Sequence, residues 1–569
     1  MKTRIIILII LILGISVRLI GINFGLPYAT QARPDELVII RYALPFGTGD
    51  LNPHFFHYPS LFLYLSFILF AIYFLFGKLF GLYLDANDFA ASVLLNPAPL
   101  ILMLRIFSAL FGTFTVYLTY LIGKAKDETT GLLSAILLAL AYLHVQQSHF
   151  GTTDVTMVGF GLLALLFAQR VFTQGKITDY IKSGLFAGMA GSTKYNGALF
   201  LIPLIAAFLL RLKQEPLNTS GRKIIIGIVT ALLSFFFFSP FILLDFTTFR
   251  TQFSKETSHL LYGATIELGR GWVNFITVAL NHGLGLPLLV FAFLTIVYFI
   301  IKCPRYTTFL ISFPLMYYLL MGAGKAVYVR HALPIVPFLC IISAIGISEL
   351  FARFKGINQI IVISVVILLL LANSLPNLFG YLTTITKKDT RSLATEWIDR
   401  NIPANSTIGW VGSAWSVPNL PFSAQEVAAR YSQFRIGFSL PEKIITRMKA
   451  KVKTTGYRIL RYDEEKGDTD TFRFFRIDQI KPRDITYLVV TSYPALPFGE
   501  VPKAIATLTA DTINFIFLTQ FNPFRCDNPR LIMDKQDATY LPFANFPCVI
   551  RPGPLIKIYR IKKVSSEIK

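Results

Sequence analysis

Charged side chains are scarce in this chain. They make up 15% of its 569 residues, where a soluble domain carries about 25%. The shortage excludes a protein wholly surrounded by water, because 54% of the residues are hydrophobic and long apolar runs recur along the first two thirds. Acidic residues are scarcer still, 32 against 54 Lys and Arg, for a formal net charge of +22. That excess does not indicate nucleic acid as a partner. No basic, aromatic-interleaved soluble module accompanies it, and the cations collect in loops between apolar spans, where they set orientation and meet anionic headgroups. Cysteines number four. Cys303 and Cys340 fall in or beside apolar runs and read as packing residues. Cys526 and Cys548 lie in a more polar C-terminal part and could pair if that part is outside the cytosol. No CxxC or Cys/His cluster suggests structural zinc. The start, MKTRIIILIILILGISVRLIGI, lacks an A-x-A-like cleavage site and reads as a retained signal anchor with Lys2 and Arg4 on the cytoplasmic side.

What is present is a series of apolar spans whose orientation follows from Lys and Arg placement. A first span over 5–22 runs outwards and leaves Asp35 and Glu36 outside. The run over 100–123 ends in KAKDE and returns inwards. The piece between them, HYPSLFLYLSFILFAIYFLFGKLFGLYLD over 57–85, is long enough to cross, yet a crossing would put Lys124 and Lys126 outside. It is expected to lie along the outer interface, with Tyr and Phe in the headgroup belt. The next span emerges at HFGTTDV, so Asp154 shares the outer side with Asp35. Residues 180–211 must go out and back with a turn near Lys194, and each arm is short. Lys194 then sits below the outer headgroup plane, where a cation is a functional candidate. Further spans over 223–244, 284–301, 306–321, 331–351 and 357–379 keep parity through Lys302 with Arg305 and Arg353 with Lys355. The reading is a polytopic α-helical protein of about eleven transmembrane helices, with interfacial helices in the first outer loop. It is multi-pass in the plasma membrane, with the N-terminus cytoplasmic. After residue 385 the pattern changes: STIGWVGSAW, ITYLVVTSYPAL and PLIKIYRI read as strands and SLATEWIDRNIP as a helix. Residues 1–385 form the membrane module and 386–569 an extracytoplasmic mixed α/β domain. The basic stretch 443–461 reads as a solvated face that could also meet lipid phosphates.

The outer side thus gathers Asp35, Glu36, Asp154, Lys194, Arg330 and His331. Two carboxylates from separate loops can serve as a general base and its partner, or hold a divalent cation through Asp35 and Asp154. Cations set deeper suit a phosphate, for which Arg offers a fork and Lys a point charge. Each residue has a plainer reading. Asp35 could open a short helix, Asp154 could cap the next span, Lys194 could snorkel, and Arg330 could pair an outer carboxylate. His54, His57 and Tyr58 fit an interfacial or substrate-facing loop better than a metal site.

Taken together, Arg18 with GINFGLP, then PDE, GDLNPHFFHYPSLFLYL, RIFSALFGTFTVYLTYLIGK, TTD, GSTKYNG and VRHALPIVPFL resemble the C-type superfamily of membrane glycosyltransferases. The groups most similar are the protein O-mannosyltransferase-like and the lipid A aminoarabinose-transferase-like enzymes. The resemblance implies transfer of one sugar from a polyprenyl-phosphate carrier to an extracytoplasmic acceptor, a protein, lipid or cell-surface glycan, with inversion. It makes Asp35 the catalytic carboxylate, Glu36 its support and Asp154 the second outer acid. Lys194 and Tyr195, with Arg330 and His331, would hold the donor phosphate. The mannosyltransferase pattern HPPxGK appears only as HYPSLF, so neither mannose nor a protein acceptor is implied. The WWDYG motif of oligosaccharyltransferases is absent, which argues against transfer of a whole oligosaccharide. Two other classes compete. A lipid or lipid-linked-sugar flippase would keep its polar residues near the midplane, and a non-catalytic assembly subunit would tolerate loss of the acids.

Overall fold

The computed structural model describes residues 2–263, 267–351, 357–421, 441–452, 456–463, 484–493, 503–527, 529–537 and 539–562, with a few isolated positions between them. Arg353 and Lys355, two of the cations expected to keep parity, lie outside the described residues, as do 453–455 of the basic stretch. The chain divides into two compact units. One comprises residues 1–22, 48–67 and 103–382; the other comprises 23–47, 68–102 and 383–569.

The helices follow in order: α1 (Lys2–Leu19), α2 (Pro34–Ala43), α3 (Leu61–Leu79), α4 (Ala86–Leu95), α5 (Ala98–Lys124), α6 (Glu128–Leu140), α7 (Tyr142–Ser148), α8 (Thr153–Gln174), α9 (Ile177–Thr193), α10 (Ile202–Arg211), α11 (Leu217–Phe238) and α12 (Phe246–Tyr262). Later ones are α13 (Leu286–Lys302), α14 (Pro304–Gly322), α15 (Val336–Phe351), α16 (Ile357–Leu370), α17 (Leu375–Ile385), α18 (Thr390–Asn401), α19 (Glu442–Lys451) and α20 (Lys503–Ala510). Among the described residues six helices are long and apolar enough to cross a membrane, and up to eight if each bent pair is one span. Of the eleven crossings that hydropathy predicts, four fall on helices outside those eight, α1, α9, α10 and α14, and two on helices with breaks. Helices α6 and α7, for instance, meet at a 61° bend where Ala141 is extended. The run expected over 284–301 is the second half of a 32-residue helical stretch from Gly271, whose first half, Phe275–Gly285, is π-helical. Asn281 and His282 interrupt the apolar pattern there and hide the start. The 57–85 piece contains α3, which by length and composition is itself a candidate span.

In the first unit, α9 packs between α8 and α11 through small residues. A Cβ on Gly184 would come within 2.1 Å of the Gly227 carbonyl oxygen, so the two backbones touch. Without water to drive helices together, such close approach supplies van der Waals contact in a membrane. Hydroxyls stitch the same faces, with Ser183 donating to Ala164 O at 3.0 Å and Ser234 to Leu185 O at 2.9 Å.

In the second unit a six-stranded sheet forms from β1 (Thr407–Val411), β2 (Arg458–Asp463), β3 (Phe475–Arg476), β4 (Tyr487–Ser492), β5 (Phe515–Phe521) and β6 (Leu555–Ile561). The order is β3-β2-β1-β4-β6-β5. The first four strands run parallel, and β6 is antiparallel to both neighbours. Side-chain alternation separates two cores. Ile408, Trp410 and Val489 face Ile398 of α18, Met448 of α19 and Ala91 of α4; Val411, Leu488 and Val490 face Ile505 of α20. Parallel strands covered on both faces read as unbroken apolar runs, which is how β1 and β4 are recognisable in the sequence, whereas the antiparallel β6 shows partial alternation. The basic stretch contains α19, and two of its cations meet α4: Arg447 pairs with Asp85 at 3.0 Å and Lys451 with Asp88 at 2.8 Å. Hydrogen bonding to Lys451 is the main reason that the Asp88 carboxyl is held below its ordinary range.

Candidate functional site

In the first unit the chain reverses at Lys194. Helix α9 ends one residue earlier, Lys194 is extended, and Tyr195–Leu201 returns as a 3-10 turn against the end of α9. Gly197 makes this possible, since a Cβ there would lie 2.2 Å from the Ala190 carbonyl oxygen. The turn aims the Lys194 ammonium at Asp154, 2.7 Å away on the first turn of α8. Both side chains are largely buried, and Thr152 donates a further hydrogen bond to the Asp154 carboxylate at 3.3 Å. His331 lies in the electrostatic field of Lys194, Arg330 and Asp154, and its Nδ1 meets the Ala326 carbonyl at 3.1 Å. The Arg330 guanidinium sits over the Tyr328 ring, 4.5 Å from its centre. Five of the residues singled out from sequence, Asp154, Lys194, Tyr195, Arg330 and His331, thus belong to one unit, and the first two are in direct contact.

Helix α12, which sequence reasoning did not single out, lines the same region. Asp245 caps it, and Gln252, Glu256 and His259 continue a stripe at spacings of 7, 4 and 3 residues, one face of a helix. Every member of the stripe has a polar partner. Asp245 accepts from Asn52 at 3.0 Å, and Gln252 accepts from Phe56 N at 2.6 Å. Glu256 meets His57 Nδ1 at 3.1 Å, and His259 meets the Tyr328 hydroxyl at 3.3 Å. Tyr195 closes the circuit by donating to the Phe56 carbonyl at 2.9 Å and setting its ring edge-on to Phe253. His54 pairs with Asp50 at 2.9 Å, and Tyr58 sets its ring edge-on to Phe55. Burial pushes the Glu256 carboxyl up, but the His57 hydrogen bond and the charges of His57, His259 and Lys194 outweigh it and leave it below its ordinary value. The signal that could have found α12 is that polar stripe, opened by Asp-x-x-Thr at Asp245.

The second unit holds Asp35 and Glu36 at the N-terminus of α2, just after Pro34. Carboxylates there face the free backbone N–H groups of the first turn. Glu36 is fully buried, whereas Asp35 keeps part of its surface. Arg33 is completely buried and donates to Asp35 at 3.1 Å and to Asp537. Asp537 belongs to the segment closed by a disulfide between Cys526 and Cys548, whose Cα atoms are 5.5 Å apart. Neither Arg33 nor Asp537 stood out in the sequence, because 504 positions separate them. Among the described residues no group of three or more His, Cys, Asp or Glu side chains could hold a metal ion.

Comparison with known proteins adds a frame to this geometry. Residues 98–244, a segment that includes Asp154, Lys194 and Tyr195, match the family model described as dolichyl-phosphate-mannose-protein mannosyltransferase. An uncharacterized protein of Aquifex aeolicus (strain VF5) is 26% identical over 280 residues, 48% of this chain and 54% of that protein. The chain therefore spans about half the length of the curated relative it matches. Among solved structures, ArnT from Cupriavidus metallidurans bound to undecaprenyl phosphate aligns with a TM-score of 0.51 at 12% identity, over 97% of each chain. The Archaeoglobus fulgidus oligosaccharyltransferase AglB, in complex with an inhibitory peptide and a dolichol-phosphate, aligns with a TM-score of 0.46 at 10% identity, over 86% of this chain and 69% of that one. At 12% identity the likeness to ArnT is one of fold.

Proposed function

We propose that this chain, a membrane protein with the fold of the C-type membrane glycosyltransferases, transfers a single sugar from a polyprenyl-phosphate carrier to an acceptor hydroxyl outside the membrane. The observation that carries the reading is the Lys194–Asp154 pair at 2.7 Å, within the segment that matches a lipid-phosphate-sugar transferase family, with His331 and Arg330 in the same unit. A half-buried ammonium and guanidinium are poor company for lipid but good company for a phosphate diester. Asp154 compensates the Lys194 charge, and the pair keeps the ammonium oriented.

In this reading the Asp35 carboxylate accepts the proton of the acceptor hydroxyl as its oxygen attacks the anomeric carbon. The bond from that carbon to the phosphate oxygen breaks on the opposite face, so the configuration inverts and the electron pair leaves with the polyprenyl phosphate. Lys194 and Arg330 neutralise the charge that grows on the departing phosphate; Tyr195 and His331, whose protons go to the Phe56 and Ala326 carbonyls, hold the chain beside the two cations. Glu36 supports the N-terminus of α2 beneath Asp35. The acceptor is a protein, lipid or cell-surface glycan.

The test is turnover of polyprenyl-phospho-sugars by the full chain in lipid nanodiscs. Asp35→Asn is expected to insert and melt like the parent and to lose about 10²–10⁴-fold in kcat. Unchanged turnover in that variant would sink the assignment of Asp35. Lipid transport by reconstituted vesicles with no sugar transfer would replace the enzyme by a flippase.

A further inference from the structure

The catalytic carboxylate proposed above belongs to the same compact unit as the sheet domain. Residues 23–47 are tied to that domain at several points. Asn419 N donates to Tyr28 O at 2.7 Å, and Ser392 donates to Gly25 O at 3.5 Å. The third tie runs through charge: the guanidinium of Arg33, with no exposed surface, bridges Asp35 at 3.1 Å and Asp537.

Asp537 is itself held in place. Its N–H donates to Asp534 O at 3.1 Å, and both carboxylates are buried. The segment around it is closed by the Cys526–Cys548 disulfide and floored by Tyr493, Phe524, Met533 and Tyr540. Tyr540 is fixed in turn by Ser413 at 2.5 Å and lies under the Arg391 guanidinium, which grips Asp389 through two hydrogen bonds. A rigid chain of contacts thus runs from the interior of the sheet domain to the side chain of Asp35.

We propose that Arg33 and Asp537 are positioning residues for Asp35: the disulfide-closed segment of the sheet domain sets the guanidinium, and the guanidinium sets the rotamer of the carboxylate. The inference rests on the reading of Asp35 as the base. A carboxylate on the first turn of a helix has several staggered rotamers, and a planar fork holding one oxygen selects among them. A base displaced by about 1 Å loses on the order of 10²-fold in rate without losing substrate affinity.

The experiment compares kcat and KM for the donor in nanodisc-embedded full-length protein. The variants are Arg33→Gln, Arg33→Lys, Asp537→Ala, Asp537→Asn and the Arg33→Gln/Asp537→Ala double. The expected result is a fall in kcat of about 10–100-fold for Arg33→Gln and Asp537→Ala, with KM within about twofold. Arg33→Lys should recover part of the loss. The double variant should be no slower than Arg33→Gln alone, because both changes cut one chain. Full kcat in Arg33→Gln while Asp35→Asn is inactive overturns the proposal, and so does a double variant whose losses multiply. An active Asp35→Asn instead removes the base assignment itself. Should Arg33→Gln fail to fold, the nearly isosteric Asp537→Asn decides: a lowered kcat at unchanged KM and melting temperature supports the proposal, and unchanged kcat overturns it.

Discussion

Arg18 carries its charge into the interior of the first unit with only neutral partners among the described residues. It is fully buried, and its guanidinium donates to the carbonyls of Gly14, Leu138 and Ala139, to Ser148 Oγ and to His144 Nδ1. Two of those carbonyls belong to the last turn of α6, where the break at Ala141 leaves acceptors without intrahelical donors. Because Arg18 donates to Nδ1, the His144 proton sits on Nε2 and points at Thr115 Oγ1, 3.0 Å away; Thr115 passes its own proton to Gly112 O. Arg18 therefore acts as a cap for a bent helix. Arg18→Met would strand the Ala139 carbonyl at about 1–3 kcal/mol, while Leu138 O keeps the Ala141 N–H at 3.3 Å. The apparent melting temperature in detergent should fall, with partial recovery in Arg18→Lys; a melting curve that does not move would refute the cap. The sequence marks Arg18 only as part of a motif. All its partners but Gly14 lie more than a hundred positions away, beyond the reach of local pattern.

Among elements, α12 shows how a helix can be tied down largely through a polar face, beside the ring contacts of Phe249 and Phe253. None of its residues is buried, yet Asp245, Gln252, Glu256 and His259 all bond to the 50–58 segment or to Tyr328. Asp50, Asp245 and Glu256 all titrate below their ordinary values, Asp50 chiefly through its His54 hydrogen bond, the other two against an opposing burial effect. A carboxyl with a depressed folded value contributes stability that is complete above its unfolded value and lost as pH falls through the folded one. The hold on α12 should accordingly be full at neutral pH and weaken below about pH 4. Hydrogen exchange over 246–262 is the measurement, with lower protection, after normalising to the intrinsic exchange rate at each pH, expected at pH 3.5 than at pH 6. Equal protection at both values would mean that other contacts hold the helix. The α9–α11 contact lies at the other extreme, since the small residues of SGLFAGMAGSTK are readable in the sequence and their use as a contact face needs only helical periodicity.

At the scale of the whole molecule, the segment bearing Asp35 groups with the sheet domain, while Asp154, Lys194 and Arg330 group with the helical unit. The disulfide between Cys526 and Cys548 closes 22 positions of the sheet domain. By loop entropy it should contribute about 3 kcal/mol. Cys526→Ser/Cys548→Ser is expected to lower the unfolding midpoint of the full chain and to speed proteolytic cleavage between the two positions. Parent-like cleavage would show that the floor of Tyr493, Phe524 and Tyr540 suffices without the bridge.

The sequence by itself determined the class of fold, because burial in lipid demands long apolar runs, cations mark their ends, and a sheet covered on both faces demands short apolar strands. It also singled out the chemically costly charges, Asp154 and Lys194 among them, since a charge in apolar surroundings stands out wherever it occurs. Only tertiary structure decided which charges meet. Lys194 finds Asp154 because Gly197 lets the chain double back on α9. Glu256 finds His57, and Arg33 reaches Asp537, through packing of segments 199 and 504 positions apart. Pairing energies of this kind depend on distances of a few ångströms, and no local pattern of residues encodes such a distance.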